Sequence, residues 1–317
     1  MKEIITSGKN AQIKEISALL KQKKERDELG LFVIEGVRIV RDACIYAPKL
    51  IKTIYVSDSF DFTELERFYR ESTNQSFSFS MENLFNIETV KASVFDDIAG
   101  TVSSQGILAV VKKPSYTLEG IFQGEEEGKS GCGVAETCKP HRGNTVGAIT
   151  AEQKAGNTVN AKGEQKSANV GNKSERYLIL EDIQDPGNLG TMIRTAEAAG
   201  IKAVIMSRNT ADIFNPKVTR ATMGSCFRVP FIYADNFADA VNSLKTNGIR
   251  VYGAYLKGGK NYREAEFSKR CAIMIGNEGN GLTDEAIALA DERVFIPMEG
   301  KIESLNAAVA AAILMYR

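Results

Sequence analysis

At 317 residues the chain is long enough for two domains with separate cores, and 40 Lys+Arg against 40 Asp+Glu leave a net charge of +0. No overall field therefore draws it toward nucleic acid, and an RNA-binding surface would have to come from local clustering. The odd, scattered set Cys44, Cys132, Cys138, Cys226 and Cys271 argues against a disulfide framework, and the single His141 excludes a two-histidine zinc site.

From the N-terminus, MKEIITSGKN has no apolar signal core, and no later run reaches the length of a membrane span, which predicts a cytoplasmic protein. A helix is predicted from about Asn10 to Lys24, with Ile13, Ile16, Leu19 and Leu20 on one face. Its other side carries Lys9, Lys14, Lys21, Lys23, Lys24 and Arg26 against only Glu15 and Glu25. Such a run serves either as a solvated face or as a surface for phosphates. LFVIEG (31–36) reads as a strand, followed by a helix from Val37 to Tyr46 and the strand IKTIYVS. A helix from Phe62 to Arg70, a short strand near Phe77 to Phe79 and the strand ILAVV (107–111) complete an alternating α/β unit, residues 1–114. Within it, Glu35 and Arg38 are candidates either for RNA contact or for ion pairs inside the domain.

Residues 123–176 contain no Phe, Tyr, Trp, Leu or Met, and cannot bury enough apolar surface to offset their ordering entropy. A disordered linker is expected over 115–176. Cys132, Cys138 and His141 fall in it, at a spacing that matches no zinc pattern and lacks a fourth ligand.

The second domain, 177–317, opens on the strand YLILED; a turn with Pro186 and Gly187 leads into a helix that Gly200 ends. AVIMS is the next strand, and Asn215 to Phe227 reads as a helix with Lys217, Arg220 and then Arg228 on its polar side. VPFIY, a helix from Phe237 to Lys245 and the strand RVYGAYL continue the alternation, which argues for a parallel sheet covered on both faces. Cys271 to Ile275 form a buried strand, followed by Gly276, Gly279 and Gly281, where the backbone can turn sharply and approach a ligand closely. GNEGNG matches neither G-x-G-x-x-G nor a P-loop, which speaks against a dinucleotide oxidoreductase. After a strand from Arg293 to Met298, Ser304 stands where a helix N-cap is expected. From Leu305 to Tyr316 only Asn306 is polar, so the helix is expected to be buried on all sides, covered by another layer or another subunit. An asparagine in its first turn needs hydrogen-bond partners.

Three segments taken together, Leu180 to Ile201, Cys271 to Gly281 and Ile296 to Arg317, resemble the signature motifs of the SpoU/TrmH family of SPOUT methyltransferases. FVIEGVRIV and SSQGILAVV resemble the start and end of the small substrate-binding domain that many of these enzymes carry. The resemblance implies transfer of a methyl group from S-adenosylmethionine to a ribose 2′-oxygen in RNA, in the manner of the enzymes that modify a guanosine of 23S rRNA. Transfer RNA as substrate, or a non-catalytic role in ribosome assembly on the same fold, are the alternatives. It also implies a homodimer and a C-terminal trefoil knot, a topology that general rules would exclude. The implied cofactor site comprises Gly276, Ile296 and Leu305, with Met298 and Asn306 in the same cleft. The pattern N-x-G-x-x-x-R at Asn188, Gly190 and Arg194 makes Arg194 the implied principal catalytic residue, accompanied by Glu278, Ser304 and Asn306.

Arginine is effectively never deprotonated, so a guanidinium that binds a phosphate and orients the ribose suits position 194 better than a base does. An ion pair with Glu181 or Glu197 is the structural alternative. Glu278 is expected to order the glycine loop by accepting backbone N–H groups, and Ser304 and Asn306 to position donor and ribose. Lys9, Lys14, Arg38, Lys217 and Arg220 are the candidate RNA contacts. No metal is required for the reaction.

Overall fold

The computed structural model describes residues 3–73, 80–99, 104–123 and 174–317. The strand expected near Phe77 to Phe79, most of the expected linker, and Cys132, Cys138 and His141 lie outside them.

The N-terminal unit runs α1 (Ala11–Lys21), α2 (Lys23–Leu29), β1 (Leu31–Glu35), α3 (Val37–Tyr46), β2 (Ile51–Ser57), α4 (Thr63–Thr73), α5 (Met81–Leu84), β3 (Ile87–Val90), α6 (Ala92–Ile98) and β4 (Ile107–Lys112). The single helix expected over 10–24 divides at Gln22, which adopts an extended conformation (φ −119°, ψ 118°). Its four strands lie in the order β1-β4-β2-β3, with β4 antiparallel to β1 and β2, and β3 parallel to β2. The pattern of apolar residues misses β3, α5 and α6, each of which is too short to show a period.

The stretch from 115 is not all linker: Leu118–Gln123 forms α7, with Ile121 buried and the Phe122 ring 6.2 Å from Tyr177. The C-terminal unit follows as β5 (Glu175–Leu180), α8 (Pro186–Ala198), β6 (Ala203–Met206), α9 (Pro216–Thr222), β7 (Phe231–Tyr233), α10 (Phe237–Thr246), β8 (Arg250–Ala254), β9 (Lys260–Asn261), β10 (Arg270–Ile275), α11 (Asp284–Leu289), β11 (Glu292–Phe295) and α12 (Ala307–Met315). All its strand pairs are parallel, in the order β7-β6-β5-β10-β8-β11-β9. Tyr177 to Leu180 and Cys271 to Ile275 are buried without a break, as central parallel strands must be when helices cover both faces. Because β10 inserts between β5 and β8, the loops leaving the carboxyl ends of these strands meet at one edge, where open α/β sheets bind ligands. The helix expected from Asn215 to Phe227 stops at Thr222, because Met223 (φ 53°) and Gly224 (φ 87°) turn left-handed.

The two units share a core. Phe32 of β1 packs against Phe214 and Phe227 at centroid distances of 4.8 and 6.2 Å. Arg26, expected among the exposed cations, is only 3% exposed and donates from Nε and Nη2 to Asp212 Oδ2 at 3.0 and 2.7 Å. Its Nη1 donates to the Leu19 carbonyl at 2.7 Å. Arg228 bridges Asp42 of α3 and Glu197 of α8. Removing one member of a buried pair such as Arg26–Asp212 typically costs about 3–5 kcal/mol through the uncompensated survivor, so that pair fixes how the units meet.

Candidate active site

The site is built from the segment after β5, the glycine loop after β10, and the chain entering α12. In the first, Asp185 caps α8 by accepting from Asn188 N at 2.8 Å, and Pro186 occupies the first turn, where its missing N–H costs nothing. Gly190 answers a packing need: a Cβ there would stand 2.4 Å from Ala221 Cβ and 2.9 Å from the Val218 carbonyl, so it is what lets α8 and α9 approach. Glu181, 8% exposed, accepts from Thr283 N and Oγ1 at 2.9 and 2.7 Å and so anchors the far end of the glycine loop.

The glycine loop closes on itself. Asn277 Oδ1 accepts from Gly279 N (2.9 Å) and Asn280 N (3.1 Å), and the Asn277 carbonyl accepts from Gly281 N (2.9 Å). The close backbone approach anticipated for a ligand at Gly276 is made by Gly281 and Leu282 of the same loop. This hairpin walls a cavity of about 550 Å³, within the range of small-molecule sites, whose other sides come from 254–257, 294–298, 303–305 and α12.

Of the residues assigned to the cofactor, Gly276, Ile296, Met298 and Leu305 all line this cavity, as does Ser304. Asn306 does not. It lines a shallower depression next door with Gln184, Asp185, Asn188, Asn277 and Glu278. Sequence reasoning missed Tyr255, Leu256 and Lys257, which border the cavity because β8 neighbours β10.

A hydrogen-bonded chain ties the three motifs together. Glu278 Oε2 accepts from Gln184 N, and its Oε1 from Asp185 N and Asn188 Nδ2, all at 3.0 Å. Asn188 Oδ1 accepts from Asn306 Nδ2 at 2.8 Å, and Asn306 Oδ1 caps α12 by accepting from Ala308 N and Val309 N. Burial alone would raise the Glu278 carboxyl, but the bonds from Gln184 N, the Asn188 amide and Asp185 N outweigh it and hold the group below the usual carboxylate range. It is therefore an anion near neutral pH. One expectation is extended and another corrected. Glu278 accepts backbone N–H groups as expected, but besides its own loop it takes those of Gln184 and of Asp185, the N-cap of α8, and so ties the loop to the first motif. The N-cap is Asn306, since the helix begins at Ala307, while Ser304 is exposed at the cavity wall.

Arg194 lies about 120° around α8 from Asn188, so the helix turns the asparagine to the other motifs and the arginine outward. Glu181 is occupied by Thr283, and Glu197 by Ser225 and Arg228; among the described residues neither pairs with the exposed Arg194. Lys9, Lys14, Arg38 and Lys217 are also exposed, whereas Arg220 is partly committed to Glu35 at 3.3 Å. Within the single chain the cover of the last helix is partial: α12 buries Ala308, Ala311, Leu314 and Met315, while Val309 is 48% exposed, and the flanking Tyr316 and Ile302 are 65% and 61% exposed. No group among the described residues could hold a metal ion, and none of their helices is long and apolar enough to cross a membrane.

Comparison with known proteins gives a consistent result. Residues 175–316 match the SpoU rRNA Methylase family and residues 10–109 the MRM3-like substrate binding domain. Over 312 residues, 98% of this chain and 97% of the relative, the sequence is 31% identical to the 23S rRNA (guanosine(2553)-2′-O)-methyltransferase RlmP of Bacillus subtilis. The AdoMet-bound rRNA methyltransferase of Sinorhizobium meliloti superimposes with a TM-score of 0.71 at 27% identity, covering 99% of this chain and 96% of that one. The SpoU methyltransferase AviRb of Streptomyces viridochromogenes, at 21% identity, shares the fold with a TM-score of 0.68 over 97% of this chain and 96% of that one.

Proposed function

The chain belongs to the SpoU rRNA Methylase family, and on that premise we propose that it methylates the 2′-oxygen of one ribose in 23S rRNA, at a guanosine as its Bacillus subtilis relative does. The observation that carries this reading is the adjoining pair of spaces: a cavity at the carboxyl edge of the sheet, and beside it a polar depression holding Asn188, Glu278 and Asn306. The cavity suits S-adenosylmethionine, with apolar walls from Ile296, Met298 and Leu305 for the adenosyl group and backbone polar groups of 276–281 for its hydrogen bonds. That cofactor supplies the methyl group as a sulfonium, whose displacement needs no metal.

This chain's own residues supply placement. Arg194, permanently cationic and unpaired among the described residues, binds a phosphate beside the target and orients the ribose. Glu278 stays ionised and holds Asn188, which holds Asn306, so the depression keeps its shape when the acceptor enters. Ser304, at the cavity wall, lies on the donor side. Lys9, Lys14, Arg38 and Lys217 meet phosphates further along the RNA, and Arg220 contributes less because Glu35 already engages it. An RNA identical except for a 2′-deoxy sugar at the mapped nucleotide is expected to accept no methyl group. Methylation of that substrate at the same nucleotide would show the ribose assignment to be wrong.

The protein works as a cytoplasmic homodimer in this reading. The exposed Val309 of α12, with exposed Tyr316 at its C-terminal end and Ile302 in the segment before it, supports pairing through that helix, since a second copy would bury apolar side chains now in water. Light scattering at micromolar concentration is expected to give twice the chain mass; a monomer there counts against the dimer. The insertion of β10 between β5 and β8, with later segments bonded back onto 181–188, supports the trefoil knot.

A further inference from the structure

We infer that Asp182 is a positioning residue for methyl transfer, holding the glycine loop of the cofactor cavity against the turn that carries Asn188. The inference rests on the proposed function for its kinetic part. It starts from the backbone: Asp182 has φ 54°, one of two non-glycine residues with positive φ among the described residues. That region is sparsely populated, is tolerated best by Asp and Asn, and persists only where the surroundings impose it.

The surroundings are specific. Ser207, 6% exposed, accepts from Asp182 N at 2.8 Å and donates through Oγ to Asp182 Oδ1 at 2.6 Å. Asn209 Nδ2 donates to Asp182 Oδ2 at 3.2 Å. Side chain and backbone of one residue are thus clamped by the loop after β6. The consequence is the direction of the Asp182 carbonyl, which accepts from Asn277 Nδ2 at 2.8 Å. The other end of the same Asn277 amide accepts from Gly279 N and Asn280 N and so shapes the cavity wall.

Three links join 276–283 to 181–188. Glu181 holds Thr283, Glu278 holds Gln184, Asp185 and Asn188, and Asp182 holds Asn277 between them. Only the Asp182 link depends on a left-handed backbone. A residue there that relaxed to an ordinary conformation would rotate its peptide plane and withdraw the carbonyl from Asn277. The loop facing the methyl donor would then lose its register with the turn facing the acceptor.

The test compares Asp182→Ala, Asp182→Asn and Ser207→Ala in the full chain. Asparagine tolerates positive φ and keeps an Oδ1 acceptor for Ser207; alanine does neither. Asp182→Ala is expected to weaken S-adenosylmethionine binding by calorimetry about tenfold, the worth of one well-placed hydrogen bond, and to lower kcat while KM for RNA stays within about twofold. Asp182→Asn is expected to restore both, and Ser207→Ala to shift them in the direction of Asp182→Ala. Amide exchange at Gly279 and Asn280 gives a readout that needs no cofactor: faster in Asp182→Ala and Ser207→Ala, near wild type in Asp182→Asn. Unchanged exchange, or losses in Asp182→Ala that asparagine does not rescue, would overturn the inference. A wild-type protein that binds no S-adenosylmethionine but shows the exchange pattern would remove the functional reading and leave the positioning role of Asp182 standing.

Discussion

Arg194→Ala is expected to slow methyl transfer by about 10²–10³-fold while leaving S-adenosylmethionine bound. The arginine lies on the outer side of α8, and the walls of the cofactor cavity come from other segments: 254–257, the glycine loop, 294–298, and the chain into α12. Its loss therefore removes no donor contact and should leave cofactor affinity within about twofold of wild type. What it removes, in the proposed function, is the guanidinium that grips a phosphate of the acceptor, and loss of one such electrostatic contact typically costs about 10²–10³-fold in kcat. No neighbour is left with an unpaired charge, because Glu181 and Glu197 have other partners, so thermal stability should hardly move. Arg194→Lys should recover only part of the rate, since an ammonium cannot grip a phosphate with two parallel bonds. Single-turnover rates with calorimetry on the same folded variant separate the two quantities. Lost cofactor affinity would move Arg194 from the acceptor side to the donor site.

The alternation of strands and helices was legible in the sequence because parallel strands buried on both faces leave continuous apolar runs, as Leu178 to Leu180 and Cys271 to Ile275 do. Strand order was not. Nothing in the run RVYGAYL says that β10 will return beside it, and so Tyr255 and Lys257 were invisible as cavity residues. The choice of cap was not legible either: Ser304 and Asn306 are both good N-caps, and the structure selects the second because Asn306 also meets Asn188. Arg26 reads as one more cation in a lysine-rich run; its partner Asp212 is 186 positions away. In each case the deciding interaction is non-local, and local pattern carries no record of it. The motif glycines show the same limit. Gly276 was legible as a position of close approach and Gly190 only as a member of a motif, and what approaches them is the loop's own backbone in the first case and a second helix in the other.

That distinction carries the second large effect. Gly276→Ala is expected to lower cofactor affinity by about 10- to 100-fold, whereas Gly279→Ala, in the same loop, should change it little. A Cβ at 276 would stand 2.2 Å from Gly281 C and from Leu282 N, and 2.3 Å from the Gly281 oxygen. Those are backbone atoms and cannot swing aside as a side chain would, so the loop itself must open. Opening it breaks the bond from Gly281 N to the Asn277 carbonyl and pulls on the Asn277 side chain that caps Gly279 and Asn280. Overpacking of this kind typically costs about 1–3 kcal/mol, and here the displaced atoms are the cavity wall. At position 279 the nearest atom to an added Cβ is Asn277 Oδ1 at 3.5 Å, an ordinary contact. The pair of variants therefore separates loss of space at one glycine from loss of flexibility in the loop. Flexibility alone would make both substitutions harmful to a similar degree. Near-normal binding by Gly276→Ala, measured by calorimetry on folded protein, would mean that the donor does not depend on this hairpin, and the cofactor would have to be sought elsewhere along the carboxyl edge of the sheet.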